Sequence, residues 1–124
     1  MTIIEAINRI DALIFNTYKQ PDKIEWLSRL DSMVKRLIID THQGAESTSF
    51  SGYTVDTPLN TVLLVPAPYD EMYLRFMEAQ IHYHNGEYDK YNNAIILYNT
   101  EFEAYQSYYN RTHMPVQHGR RFLF

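Results

Sequence analysis

Residues 88–111, YDKYNNAIILYNTEFEAYQSYYNR, decide the fold. Seven large side chains recur there at alternating spacings of three and four, and they are Tyr88, Tyr91, Ile95, Tyr98, Phe102, Tyr105 and Tyr109. This spacing keeps them on one side of an α-helix and repeats every seven residues, as in paired helices. No glycine or proline interrupts the pattern before Pro115. The segment therefore predicts a helix from about Tyr88 to about Arg111 that pairs with an antiparallel neighbour.

The segment before it predicts that neighbour. Pro66 and Pro68 end the preceding segment, and Asp70 is placed to cap a third helix. The apolar stripe of this helix consists of Met72, Phe76, Ala79 and Tyr83, and Asn85-Gly86 is typical of a turn that ends a helix. The two helices form a predicted helical hairpin.

Two further helices are predicted at the N-terminal side. Thr2 and Glu5 have capping-box spacing, and a stripe of isoleucines follows at Ile3, Ile7, Ile10 and Ile14. We expect this first helix to fray by Asn16–Tyr18. The second helix runs from about Pro21 to about Gln43, because an apolar stripe extends from Ile24 to Ile38 and Gly44 follows.

Between the helix pairs the pattern changes. Residues 50–56 alternate as a strand does, and residues 61–65 form a β-branched run that Pro66 ends. We expect a β-hairpin or ordered excursion over about residues 45–69. The predicted fold is therefore mainly all-α: a four-helix-bundle-like domain over residues 1–114 with a β excursion, followed by a basic tail over residues 115–124.

Composition bounds the class of protein. The chain has 124 residues, a formal net charge of −4 and no cysteine, so it fits one domain and offers no disulfide or thiolate chemistry. Charged and polar residues interrupt every apolar run near the N-terminus, so we expect neither a signal peptide nor a membrane span. An intracellular, soluble protein is the default expectation.

The charge is unevenly distributed. Residues 1–110 hold eight basic and 15 acidic residues, whereas Arg111, Arg120 and Arg121 are the only charged residues after Glu103. The last two arginines precede Phe122 and Phe124, and exposed apolar termini usually dock on a partner. The tail is therefore a candidate docking segment for a partner; the alternative is an end with no role.

The residue types that carry chemistry do not form a recognisable site. His82 and His84 are two residues apart and diverge on a helix. Carboxylates two residues apart, Glu101 and Glu103, fit a solvated face. The sequence has no nucleotide-binding, nucleophile-elbow or metalloprotease motif. We expect no enzyme activity, no metal, no cofactor and no sequence-specific nucleic-acid binding.

Tyrosine is the strongest compositional bias, with 11 of 124 residues. Its large ring and exposed hydroxyl suit both helix cores and interfaces. The helical tyrosines are therefore either core residues or an interaction stripe, and the candidates are Tyr88, Tyr91, Tyr98, Tyr105 and Tyr109.

Four segments resemble a family of small, uncharacterised proteins encoded in phages and prophages of Gram-positive bacteria. They are LDSMVKRLIIDTH, which ends at His42, LLVPAPYDEMYL at residues 63–74, NGEYDKYNNA at residues 85–94 and YYNRTHMP at residues 108–115. The family's helical plan is similar to that of head–tail connector, or adaptor, proteins, which form a ring beneath the phage portal.

This resemblance implies a virion structural protein that assembles with itself, as a ring or weak oligomer, and with phage portal or tail proteins. The implied locations are the host cytoplasm during assembly and then the virion. The implied portal contact would fall on residues 111–124, where the charge reverses. The alternative is a small helical phage-encoded binding protein that acts in regulation or DNA handling.

Overall fold

A computed structural model describes residues 1–47 and 49–116, and in these residues the protein is mainly helical. The helices are α1 (Ile3–Leu13), α2 (Gln20–Leu37), α3 (Glu71–His84) and α4 (Tyr88–Thr112), with short 3₁₀ turns at Ile39–Thr41 and Ala45–Ser47. The predicted all-α class and the four helices are confirmed. Of the predicted basic tail, residues 115–124, only Pro115 and Val116 lie within the described residues.

Helix α3 is the centre of the bundle, because it contacts α1, α2 and α4. Helices α1 and α2 also contact each other, whereas α4 runs alongside α3 and no other helix of the described chain. Apolar side chains from α1, α2 and α3 fill the core, among them Ile10, Leu27 and Met77. The fold is thus a three-helix core with a long fourth helix attached to one of its members.

Helix α1 begins as the sequence predicts. The Thr2 hydroxyl accepts from the Glu5 amide at 3.2 Å, and the Glu5 carboxylate accepts from the Thr2 amide at 2.8 Å. The other two amides of the first turn, those of Ile3 and Ile4, donate to the carbonyls of Thr61 and Leu59 at 3.0 Å. The loop at residues 59–61 therefore satisfies donors that a helix start leaves unpaired.

Helix α2 ends at Leu37, six residues before its predicted end at Gln43. The Thr41 hydroxyl donates to the Ile38 carbonyl at 2.7 Å, and the His42 imidazole lies 2.6 Å from the same oxygen. In a continuing α-helix the His42 amide would donate to the Ile38 carbonyl. Because the two side chains already bond to that oxygen, the His42 amide donates to the Ile39 carbonyl instead. Side-chain competition of this kind converts the last turn to 3₁₀ geometry.

The predicted β-hairpin or excursion over residues 45–69 is wrong: the described part of this segment contains no strand and forms one isolated bridge, between Val62 and Thr2. Its amides bind unrelated partners. Leu63 donates to the Met1 carbonyl at 2.9 Å, Leu64 to the Asp31 carboxylate at 3.1 Å and Val65 to the Tyr73 hydroxyl at 2.7 Å. Because three consecutive amides are used this way, no ladder with residues 50–56 can form.

We expect Thr2→Ala to lower the free energy of unfolding by about 0.5–2 kcal/mol, because it removes the hydroxyl that caps α1. Urea denaturation followed by circular dichroism measures the loss. Ser107→Ala, at an exposed position of α4, is the matched control and should change stability by less than about 0.5 kcal/mol. Equal effects of the two substitutions would contradict the capping role.

Candidate functional site

The middle of the tyrosine stripe lies between α4 and α3. Tyr98 and Tyr105 are 8% and 3% exposed. The Tyr98 ring packs against Phe76 with centroids 5.3 Å apart, and the Tyr105 ring packs against Tyr69 at 5.5 Å. Burial raises the pKa of both tyrosines to about 12. These two candidate interface residues therefore contribute to the core of the monomer.

The ends of the stripe are more accessible. Tyr88, at the start of α4, is 60% exposed. Tyr91 is half-buried, and its ring lies 5.4 Å from that of Tyr83 at the end of α3. Along α4 the tyrosine stripe thus changes from an exposed residue, Tyr88, to buried ones in the middle and to a partly buried one, Tyr109, at the far end.

The far end of the stripe joins α4 to the turn after α2. The Tyr109 ring lies edge-on to the buried His42 ring at 4.8 Å and stacks parallel on His113 at 3.7 Å. Burial raises the pKa of Tyr109. Tyr109 is therefore held between two imidazoles, that of His42 in the turn after α2 and that of His113 directly after α4.

Backbone bonds fix the chain that follows α4. The Gln43 amide donates to the Met114 carbonyl at 2.8 Å, and the Val116 amide donates to the Thr41 carbonyl at 2.9 Å. An isolated bridge joins His42 and Pro115. The chain consequently leaves the described structure at a defined point, beside the turn that ends α2.

The candidate docking tail is only partly described. Arg111 is exposed in the last turn of α4 and forms no ion pair with any described residue. The remaining predicted docking residues, Arg120, Arg121, Phe122 and Phe124, lie outside the described residues. Their role stays a prediction.

A buried carboxylate stands at the centre of the core. Asp31 on α2 is fully buried and accepts from the Tyr53 hydroxyl at 2.5 Å, from the Tyr73 hydroxyl at 2.6 Å and from the Leu64 amide at 3.1 Å. The Tyr73 hydroxyl also accepts from the Val65 amide at 2.7 Å. The cluster joins α2, the loop and α3.

Electrostatics favour a structural role for this cluster. Burial raises the pKa of Asp31, and the three hydrogen bonds to it act in the opposite direction. Burial and the nearby carboxylate raise the pKa of Tyr53 and of Tyr73. Because Asp31 and Tyr73 are fully buried and Tyr53 is 9% exposed, no solute reaches the carboxylate, and its chemistry is to hold chain segments together.

The role of Asp31 was not predicted, although the sequence contains a signal for it. Asp31 lies on the apolar side of α2, between Leu27 and Val34 in the helical register. A carboxylate on a buried stripe requires donors nearby, since an unpaired buried charge is very costly. The identity of those donors, which lie 22, 33 and 42 residues away, is not encoded locally.

The histidine pair at the end of α3 diverges as predicted. The His82 imidazole lies 3.1 Å from the Glu87 carboxylate, whereas the His84 ring stacks on Trp26 with centroids 5.9 Å apart. Within residues 1–47 and 49–116 no group of three histidine, cysteine or acidic side chains could hold a metal ion.

Surface depressions offer little chemistry. One of about 430 Å³ lies where α1 meets the start of α3 and is lined by Met1, Glu5, Asn8, Arg9 and Asp70. Glu5 there is committed to the α1 cap, and Arg9 bonds to Glu71 at 2.9 Å. Glu5 and Arg9 are thus both engaged with groups that do not line the depression.

Comparisons with protein-family models, with curated proteins and with solved structures find no match to this chain. Among the described residues, no helix combines the length and apolar character needed to cross a bilayer. The molecule is therefore characterised by its own geometry: a helical bundle with an internal polar cluster, a half-covered tyrosine stripe and a fixed exit point for the chain.

We expect Tyr73→Phe to destabilise the protein more than Tyr53→Phe. Loss of the Tyr73 hydroxyl removes a partner from both Asp31 and the Val65 amide, so we expect the free energy of unfolding to fall by about 2–5 kcal/mol. Tyr53→Phe removes a partner from the Asp31 carboxylate alone, so we expect a fall of about 1–3 kcal/mol. Urea denaturation of both variants gives the ranking. Tyr88→Phe, which changes an exposed hydroxyl, is the control, and a reversed order would be inconsistent with the bonding described.

The pH dependence of stability should report Asp31. Its pKa is raised above the ordinary 3.8, so the folded protein binds this proton more tightly than the unfolded chain. The stabilisation that this proton provides is complete when the pH lies below the pKa of Asp31 in the unfolded chain. It is lost as the pH rises through the pKa of Asp31 in the folded protein. Relative to Asp31→Asn, which cannot titrate, the wild type should therefore lose free energy of unfolding as the pH rises from about 4.

Urea denaturation of wild type and Asp31→Asn across this range measures the difference directly, because the other carboxylates are common to both proteins. A difference that moved in favour of the wild type with rising pH would show that the hydrogen bonds to Asp31 outweigh its burial.

Proposed function

We propose that this protein is a structural protein of a phage virion, of head–tail connector type, that assembles with copies of itself and docks on the portal or tail through its basic tail. The observation that carries the proposal is the fixed exit point. Met114 and Val116 are bonded to Gln43 and Thr41, so the following segment starts from one place at the end of the bundle.

Charge supports this docking role. The body, residues 1–110, carries fifteen acidic against eight basic residues, whereas the region from Arg111 onward has three arginines and no acid. Two of those arginines precede Phe122-Leu123-Phe124. A segment of opposite charge to its own body, with aromatic anchors, suits a partner surface that is acidic and partly apolar.

The absence of an organised reactive site in the described residues is compatible with an interaction protein, and α4 supports self-association. A helix of 25 residues that runs alongside one neighbour exposes a long surface. Weak contacts between subunits suffice for assembly on a portal, because the portal presents many sites at once.

Deletion of the gene from an inducible prophage tests the proposal. We expect DNA-filled heads without attached tails, seen by electron microscopy of the lysate. Complementation by the full chain should restore tailed particles, whereas a chain that ends at Val116 should fold and fail to restore them. This cut keeps the bond between Val116 and Thr41, which a cut at Met114 would remove.

Two further outcomes have defined meanings. If the truncated chain restores tailed particles, the tail is not the docking segment. If the deletion strain releases normal tailed particles, the protein is not a connector, and the alternative of a small helical binding protein in regulation or DNA handling takes its place. Circular dichroism of the purified truncated chain is the folding control.

A further inference from the structure

Helix α4 has a second face, opposite the tyrosine stripe, that no described element covers. We call it the outer face of α4, and it comprises Asp89, Asn93, Ile96, Thr100, Ala104, Ser107 and Arg111, all of them exposed. Their spacings of three and four place them on one side of the helix. The face is therefore a continuous strip along most of α4.

The middle of the outer face places one large aliphatic side chain beside small ones. Ile96 is 62% exposed and Leu97 beside it is 45% exposed. On the next turns the face continues with Thr100 and Ala104, whose small side chains allow another helix to approach closely. Exposed aliphatic side chains next to small ones are the elements of a helix–helix contact, in which a large side chain fills the space over a small one.

The two ends of the outer face carry opposite charges. Asp89 lies in the first turn of α4 and Arg111 in the last. Neither side chain forms an ion pair within the described chain. Each charge suits its end of the helix dipole, but the dipole does not require both to lie on the same face, about 33 Å apart.

The charges on the outer face attract those of a second copy only when the second α4 runs in the opposite direction. A second α4 lying parallel would bring Asp89 to Asp89 and Arg111 to Arg111. An antiparallel copy, related by a two-fold axis through Thr100, brings each Asp89 to the Arg111 of the other copy. The same axis sets Ile96 against Ala104 of the other copy, a large residue against a small one.

We propose that the outer face of α4 is a self-association surface on which a second copy of this chain docks, with the two α4 helices antiparallel and crossing at Thr100. The two Asp89–Arg111 pairs select the antiparallel direction and the register, and Ile96 supplies the apolar contact at the centre. The interface is isologous, so every substitution in it acts twice.

The dimer should be weak. A single helix–helix contact buries less surface than the roughly 1,200–2,000 Å² of stable specific interfaces, and exposed ion pairs add little affinity. We therefore expect a concentration-dependent equilibrium with a dissociation constant of about 10 µM or higher. This property belongs to the free protein and does not depend on a connector role.

Charge reversal tests the proposal on the full chain. Sedimentation velocity over a range of protein concentrations at low salt should show dimer formation. Asp89→Lys and Arg111→Glu should each weaken it by about tenfold, because two attractive pairs become repulsive. The double variant, with both charges exchanged, should return to within about threefold of the wild type while losing the favourable helix-dipole placement.

The matched control is Arg36→Glu, an exposed cation on α2 that also forms no ion pair in the described chain. It makes the same change in net charge off the outer face and should leave the association constant unaltered. If Arg36→Glu weakens the dimer as strongly as Arg111→Glu, net charge governs association and the proposed register is wrong.

Cysteine cross-linking tests the register without altering charge at the ends, and the chain has no cysteine of its own. Thr100→Cys places the two thiols on the axis, where they should form a disulfide under mild oxidation. Glu103→Cys, on the same helix, offsets the thiols by six residues, about 9 Å along the helices, and should cross-link far more slowly.

Two results would overturn the proposal. One is a monomer at every concentration up to about 1 mM, which would mean that the dissociation constant of any dimer lies well above about 1 mM. The other is equal cross-linking at positions 100 and 103, or a double charge variant no better than the single ones, which would mean that any association uses another surface.

Discussion

The carboxylate of Asp31 is the constraint on which the rest of the structure depends. One side chain receives donors from α3 through Tyr73, from the irregular segment through Tyr53 and from the backbone at Leu64. A polar group buried in the interior is costly unless it has such partners. The cluster therefore couples three pieces of chain that have no regular backbone pairing with one another, and it fixes where the loop crosses the bundle.

This coupling explains which features the sequence could predict. Helix starts and stops such as Thr2 and Gly86 act over a few residues, and the stripe on α4 repeats often enough to be read directly. Asp70 precedes α3 as predicted, but its side chain forms no capping hydrogen bond. Residues 61–65 have strand-like composition, but their amides are claimed by Met1, Asp31 and Tyr73, which are distant in sequence. Local pattern carries no information about such partners, and the predicted hairpin failed for that reason. The tyrosines lie on one side of α4 as their spacing predicts, but which of them are buried depends on how α3 covers α4.

The arrangement of α4 gives the molecule two kinds of surface. One side of the helix is committed to α3, and its far end is tied to the turn after α2 through Tyr109, His42 and the backbone of residues 114–116. The other side has no described neighbour. A helix that is already held along one side and at one end loses little conformational entropy when its free side binds another molecule.

Tryptophan and tyrosine spectra also report on different parts of the molecule. Trp26 is the only tryptophan, and it is buried in the three-helix core beside Tyr18 and His84. Tyrosines, in contrast, crowd along α4. Indole emission therefore reports the core, and tyrosine absorbance is weighted toward α4, which holds six of the 11 tyrosines. If α4 detached while the three-helix core stayed intact, the tyrosine signal would change before the tryptophan signal. The difference between the two unfolding curves would then measure how cooperatively α4 and the core unfold.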